Sequence, residues 1–170
     1  MSLKKEDLRE NLLLKNLTIY FNDSENFKKI HDIIEGKSNI SLRIIDWCVT
    51  NFCKRNETMY YINDDLFIVH KDYKSQLKSY SKKQFDPFCR RDRIEFTVNG
   101  LQIITTVGQL NFFRWAIENK IIEFVEENYK NIDDDMRNSQ KSRKNENYKP
   151  SRCNDKKIRH SSNILVNIFF

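Results

Sequence analysis

The sequence predicts an α+β fold with N-terminal helices, a small antiparallel sheet built from two hairpins, a long C-terminal helix and a basic, flexible tail. Apolar residues recur at helical spacing before residue 55 and after residue 108, whereas two segments between these limits have strand-like runs around turn residues. The chain has 170 residues, of which 39% are hydrophobic and 12% aromatic, which is enough to bury one core. We therefore expect a globular domain over residues 1–135 and a tail over residues 136–170.

Three helices are predicted before residue 55. The first is expected over residues 2–15. The second begins at Asp23 or Ser24, whose side chains suit an N-cap, and ends at Gly36, which suits a left-handed residue. Ser41 begins the third helix, which has one apolar stripe typical of a core-facing helix. The stripe consists of Leu42, Ile45, Val49 and Phe52.

Two β-hairpins are predicted in the middle of the chain. Residues 58–70 form two apolar runs around a three-residue loop at residues 63–65. Residues 93–105 form two further runs around Asn99-Gly100, the pair typical of a type I′ turn. We expect the two hairpins to form one small sheet.

A long helix is predicted from Gly108 to about Tyr129, before a segment with few apolar residues. Its apolar face consists of Leu110, Phe113, Ile117, Ile121 and Phe124. Residues 138–162 are rich in Lys, Arg, Asn and Ser, so we expect them to be disordered unless bound. The last eight residues, 163–170, are apolar and prone to β-structure, so they can dock on a sheet edge, pack on themselves or fray.

The net charge of +6 is unevenly distributed along the chain. Residues 136–170 contain nine basic and two acidic residues, so the first 135 residues are close to neutral. Within them, residues 71–93 contain eight basic and three acidic residues, whereas residues 118–135 contain seven acidic and two basic ones. The predicted domain is therefore electrically polarised.

The basic segment 71–93 is the strongest candidate binding site. A helix would place Lys74, Lys78 and Lys82 on one side as a basic ridge, and three arginines follow a break at Pro87. Cations beside aromatic rings are what phosphate contact and base stacking require. The candidate phosphate contacts are Lys74, Lys78, Lys82, Lys83, Arg90, Arg91 and Arg93, and the candidate stacking rings are Tyr80 and Phe88. The alternative is a solvated face whose lysines oppose the acidic segment 118–135 within a monomer or an oligomer.

Enzymatic chemistry is not expected. The three glycines have no phosphate-binding spacing, and the cysteines and histidines have no zinc-finger spacing. Cys48 and Cys53 would lie about 140° apart on an α-helix, so they should not share a site. Cys89 could be activated by His70 or His31, but any chain with four Cys and three His offers such pairs. We expect neither a cofactor nor a metal.

No membrane attachment is expected. No apolar run approaches the roughly 18 residues that span a bilayer. The N-terminal segment lacks the apolar stretch of a secretory signal, so a reducing compartment with free thiols is the expected setting.

Three stretches, residues 41–52, 73–91 and 105–117, resemble an uncharacterised family encoded by large nucleocytoplasmic DNA viruses, including mimivirus-like giants. The resemblance covers residues 3–135. It implies a setting in the viral factory of the host cytoplasm or in the virion, and it implies no catalytic residue.

These features together favour a non-enzymatic viral protein that binds the phosphate backbone of nucleic acid without sequence specificity. The alternative is a virion structural or assembly protein, tethered by its C-terminal tail to other viral proteins or to further copies of itself.

Overall fold

The computed structural model describes residues 5–80 and 83–146, and it confirms the α+β class. Residues 2–4, Lys82 and residues 147–170, for which we made predictions above, lie outside the described residues. The elements in chain order are α1 Lys5–Phe21, α2 Ser24–Ile34, α3 Leu42–Trp47, a π-helical segment Cys48–Phe52, α4 Cys53–Arg55, β1 Met59–Ile62, β2 Asp65–Ile68, α5 Val69–Ser79, β3 Ile94–Val98, β4 Leu101–Thr105, α6 Val107–Glu118, α7 Ile121–Glu127 and α8 Tyr129–Glu146.

The first two helices pack on the core through residues that follow helical spacing. Helix α1 continues beyond the predicted end at residue 15 because Leu17 and Phe21 extend its buried face, and both are fully buried. Helix α2 begins as predicted, since the Asp23 carboxylate accepts the backbone N–H of Glu25 at 3.0 Å. Gly36 follows it with a φ of 71°, which confirms the predicted left-handed end.

The third predicted helix is interrupted. Ser41 caps α3 as expected, its hydroxyl oxygen accepting the backbone N–H of Ile44. From Cys48 to Phe52 the chain widens into a π-helical turn before it returns to α-helical geometry in α4. Val49 is nonetheless fully buried and Phe52 is half-buried against the core, so the predicted apolar stripe is confirmed. The wider turn also places Cys53 in the core.

The two hairpins form separate two-stranded antiparallel sheets, so the prediction of one sheet was wrong. Each hairpin is covered by different helices. Phe96 of β3 packs against Phe21 and Phe27 of the first two helices, with ring centroids 6.3 and 5.7 Å apart. Tyr60 of β1 instead stacks on Phe124 of α7, at 5.7 Å.

The turns of the hairpins differ in how well the sequence predicted them. Asn99 and Gly100 both have positive φ, 50° and 80°, which confirms the predicted turn. In the first hairpin, Asn63 and Asp64 also have positive φ, 49° and 68°, so the loop has two residues and not three. As a result Asp65 belongs to β2, where it pairs with Ile62. Residues 69 and 70, which we predicted as the end of the second strand, instead begin α5.

The predicted long helix is broken into α6 and α7, although its apolar face is buried as expected. The break lies at Asn119-Lys120, where Lys120 has a φ of 55°. The Tyr60 hydroxyl donates a hydrogen bond to the Asn119 carbonyl oxygen at 2.6 Å. This contact from β1 satisfies a carbonyl group that the broken helix would otherwise leave unpaired.

Helix α8 continues to Glu146, so the expectation of disorder from residue 138 was wrong for its first part. Ile132 and Met136, one turn apart, are buried and attach the helix to the core. Asp135 on the same helix accepts a hydrogen bond from Trp47 Nε1 at 2.8 Å and pairs with Arg55. Tertiary contacts thus stabilise a segment whose composition is polar.

None of the helices within residues 5–80 and 83–146 is both long enough and apolar enough to cross a membrane.

Two tyrosines, the half-buried Tyr20 and the buried Tyr73, should make the fold sensitive to alkaline pH. Burial is the main cause that raises the pKa of Tyr20 and of Tyr73 from 10.0 to about 12, and the carboxylates of Glu118 and Asp46, respectively, add to it. Between these values the unfolded chain releases protons that the folded chain retains, so stability should fall as pH rises from 10 to 12. Urea unfolding on either side of pH 10 measures this loss. Tyr20→Phe should reduce the loss, and an equal loss in that variant would contradict the assignment of Tyr20.

Candidate nucleic-acid interface

Helix α5 presents lysines to solvent. Val69 and Tyr73 are its buried positions, whereas Lys74 and Lys78 are exposed as predicted. The helix ends at Ser79, and Tyr80 is extended, so the predicted ridge does not continue along α5 to Lys82. The helical spacing of Leu77 from Tyr73 predicts a core position for Leu77, but its side chain is 41% exposed, so that prediction was wrong. The helix therefore contributes two of the three predicted ridge lysines.

The acidic residue of α5 is directed towards the protein. One carboxylate oxygen of Asp72 accepts hydrogen bonds from Trp115 Nε1 at 2.7 Å and from Gln76 Nε2 at 3.3 Å. The indole bond joins α5 to α6. Because Asp72 faces the protein in this way, lysines provide the charge on the exposed side of α5.

The segment 83–93 after α5 is anchored by an aromatic cluster. Phe85 is 2% exposed, and its ring lies at the centre of the cluster. The surrounding rings, at centroid distances of 5.5 to 6.0 Å, are Tyr73, Tyr80, Phe112 and Trp115. Such contacts bury large apolar areas and hold the loop against both α5 and α6.

The first turns of α6 hold the backbone of the same loop. Gln109 is buried, and its Nε2 donates to the Pro87 carbonyl oxygen at 2.9 Å. Asn111 Nδ2 donates to the Gln84 carbonyl oxygen at 2.8 Å. Gly108 lies so close to the loop that a Cβ atom there would be 2.6 Å from the carbonyl oxygen of Lys83. These contacts depend on a glycine and two amide side chains in the first turns of α6. We did not predict them from the sequence.

Asp86 organises the turn that carries the arginines. Its carboxylate accepts the backbone N–H of Phe88 at 3.1 Å and two hydrogen bonds from Arg90, at 2.9 and 2.8 Å. The guanidinium of Arg90 also lies over the Phe88 ring, 5.2 Å from its centroid. Arg90, predicted as a phosphate contact, is exposed but has a bidentate partner within the loop, whereas Arg91 and Arg93 form no ion pair with a described residue.

Both predicted stacking rings have partners within the protein. Tyr80 is half-buried and stacks on Phe85 with an interplanar angle of 12°, and Phe88 is half-buried beneath Arg90. Each ring therefore has one face in use and could offer a base the other face only.

The basic surface is defined here as Lys74, Lys78, Lys83, Arg91 and Arg93, all of which are exposed. Within residues 5–80 and 83–146, none of these five forms an ion pair with an acidic residue. The acidic segment 118–135 uses other partners. Its ion pairs join Glu118 to Arg114, Glu123 to Lys29, Asp133 to Arg137 and Asp135 to Arg55. We considered above that the lysines of segment 71–93 oppose the acidic segment 118–135 within one molecule. Among the described residues, no ion pair joins these two segments.

The thiols and histidines are arranged differently from what the sequence suggested. Among the described residues no group of three His, Cys, Asp or Glu could hold a metal ion. His70 contacts the Val49 carbonyl oxygen at 3.1 Å and not Cys89. Cys48 and Cys53 were expected to point apart, yet their Sγ atoms lie 3.4 Å from each other. That expectation was wrong because it assumed α-helical geometry where the chain forms a π-helical turn.

Comparisons with known proteins give the family. An uncharacterized protein of Acanthamoeba polyphaga mimivirus is 42% identical over 143 residues, which cover 78% of this chain and 55% of that protein, so the chain spans about half the length of this relative. No solved structure matches the chain. Residues 3–166 match a family of unknown function, DUF7197, so the match extends through most of the segment that we treated as a tail outside the resemblance. The resemblance to giant-virus proteins is confirmed, and the chain belongs to the DUF7197 family.

Proposed function

We propose that this protein is a non-enzymatic, nucleic-acid-associated viral protein that binds the phosphate backbone through the basic surface. The observation that carries the proposal is the set of five exposed cations without an acidic ion-pair partner among the described residues. Of the three carboxylates in segment 71–93, Asp72 and Asp86 are engaged by donors within the protein, whereas Asp92 is exposed between Arg91 and Arg93.

Phosphate binding requires little more than cations held at fixed positions. Binding releases the counterions that surround the nucleic acid, so affinity depends on salt and not on sequence. The loop that carries Lys83, Arg91 and Arg93 is held by Phe85 and by the amides of α6, which reduces the entropy lost on binding. The basic residues beyond 136 would add nonspecific affinity. A role in the viral factory or the virion would suit this activity.

Charge reversal of the basic surface tests the proposal. Fluorescence anisotropy with single- and double-stranded oligonucleotides would be measured for the full chain and for the variant Lys78→Glu with Arg91→Glu, between about 50 and 200 mM salt. We expect roughly tenfold weaker duplex binding at the lowest salt, which is about 1.4 kcal/mol. The slope of log affinity against log salt concentration should become less steep by about two, because two phosphate contacts are lost.

The matched control reverses two charges elsewhere. Lys28 on α2 and Lys130 on α8 are exposed and form no ion pair with a described residue, so Lys28→Glu with Lys130→Glu changes the net charge equally. This control should affect binding much less. Equal losses in both variants would mean that net charge alone attracts the nucleic acid, and no binding by the unsubstituted chain would overturn the proposal.

A second candidate function is assembly with other viral proteins or with further copies of this chain. The observation that favours it is an exposed apolar line on α1, formed by Leu8, Leu12 and Ile19, which are 54%, 66% and 66% exposed. Their spacing places them on one side of the helix, opposite the buried Leu17. Apolar side chains grouped in this way are typical of contact surfaces. Absence of binding in the anisotropy experiment would favour this function.

A further inference from the structure

The π-helical segment brings two cysteines together in the core. The backbone N–H of Cys53 donates to the carbonyl oxygen of Cys48, five residues earlier, which is the hydrogen bond of a π-turn. Side chains five residues apart therefore lie one above the other, and the two Sγ atoms are 3.4 Å apart. The turn thus produces a thiol pair that an unbroken α-helix would separate.

Tertiary contacts support this turn. A carbonyl oxygen can only accept a hydrogen bond, so His70 carries its proton on Nδ1 and donates it to Val49 at 3.1 Å. Val49 lies inside the π-helical segment, and His70 belongs to α5. Helix α5 thereby holds a backbone group that the widened turn takes out of the regular α-helical pattern. Such π-turns are rare and occur frequently at functional sites.

The surroundings of the two thiols favour chemistry between the sulfur atoms. Both cysteines are fully buried. The described residues place no third His, Cys, Asp or Glu with them in a group that could hold a metal ion. The Sγ atoms need to approach by about 1.4 Å to reach the bond length of a disulfide, which is about 2.0 Å.

We propose that Cys48 and Cys53 form a reversible dithiol–disulfide site, with a peroxide as the oxidant and a thiol as the reductant, which is itself oxidised to a disulfide. One thiol loses its proton, and the thiolate attacks an oxygen of hydrogen peroxide. The O–O bond breaks, a sulfenic acid forms, and the departing hydroxide takes up the released proton to give one water. The second sulfur then attacks the sulfenic sulfur, the S–S bond forms, and a second water leaves. The two thiols lose two hydrogens, and the peroxide is reduced to two waters.

Opening of the π-turn should limit the rate of the first step. Burial is the main cause that raises the pKa of the Cys48 thiol well above its ordinary value, and the hydrogen bond with Cys53 adds to it. The reactive thiolate is therefore scarce while the turn is closed. Once a sulfenic acid has formed, closing of the turn returns the partner sulfur to contact distance, so formation of the disulfide should precede further oxidation.

Peptide mapping of the oxidised full chain tests the proposal. The folded protein is treated with hydrogen peroxide, and the remaining thiols are blocked with N-ethylmaleimide before and after denaturation. Trypsin cuts after Arg43 and Lys54, so one peptide, residues 44–54, contains both cysteines. We expect this peptide without label and lighter by two hydrogen atoms. Reduction with dithiothreitol before labelling should restore two labelled thiols.

Two variants separate this site from the other cysteines. Cys89→Ser with Cys153→Ser leaves the core pair in place and should retain the oxidised 44–54 peptide, whereas Cys53→Ser should abolish it. The first variant keeps the test valid even where Cys53→Ser fails to fold. The proposal would be overturned by a 44–54 peptide that remains reduced, that carries sulfinic acid, or that is joined to Cys89, Cys153 or a second chain.

Discussion

Replacement of Phe85 by Ala is expected to lower the free energy of unfolding by about 3–5 kcal/mol, the usual range for a buried phenylalanine. The Phe85 ring is 2% exposed and contacts four other aromatic rings, so its removal leaves a cavity between α5 and α6. Urea unfolding followed by circular dichroism gives the change. The variant should also bind nucleic acid more weakly, because the loop that carries Arg91 and Arg93 loses its anchor.

Leu77→Ala is the control for this prediction. Leu77 is also a large apolar residue of this region but is 41% exposed, so its truncation should change stability by no more than about 0.5 kcal/mol. A similar small change in Phe85→Ala would show that the aromatic cluster does not hold the loop. The charge-reversed variant of the basic surface should retain its stability, so losses of anchoring and of charge can be distinguished.

Gly108→Ala is expected to destabilise the protein by about 1–3 kcal/mol, the range for overpacking. The direction is informative, because alanine normally stabilises a helix relative to glycine by roughly 0.5–1 kcal/mol. Here the new Cβ atom would meet the backbone oxygen of Lys83 at 2.6 Å, so either α6 or the loop has to move. The same urea experiment measures the effect, and NMR chemical shifts of residues 83–90 would report the displacement of the loop.

Gly36→Ala gives a comparison with a different physical cause. Gly36 has a φ of 71°, but nothing lies within 4 Å of a Cβ atom there. Its substitution should cost about 1 kcal/mol through backbone strain and leave the loop shifts unchanged. A gain of stability in Gly108→Ala would mean that the loop can retreat from α6 at little cost.

The candidate interface was only partly predictable. Lys74, Lys78, Lys83, Arg91 and Arg93 are exposed, as a count of charges along the chain suggests. The pairing of Arg90 with Asp86 was not detected, although the spacing of four residues between an acid and a base could have indicated it. No local pattern indicated that Gln109 and Asn111 hold the loop.

The features that depend on a few neighbouring residues could be predicted from the amino-acid sequence. Asp23 and Ser41 cap helices, and Asn99-Gly100 forms a turn, because each effect is produced by side chains and dihedral angles within about four residues. The apolar face predicted for residues 108–129 is also confirmed, because burial follows the spacing of hydrophobic residues.

The interruptions of that spacing depend on contacts between distant parts of the chain. Tyr60 donates to the carbonyl oxygen of Asn119 at the break between α6 and α7, and His70 donates to Val49 inside the π-helical turn. In each case the partner is more than 20 residues away along the chain. The two hairpins likewise form separate sheets because different helices cover them. A backbone group that leaves regular structure needs a partner elsewhere, and the position of that partner depends on how the whole chain packs.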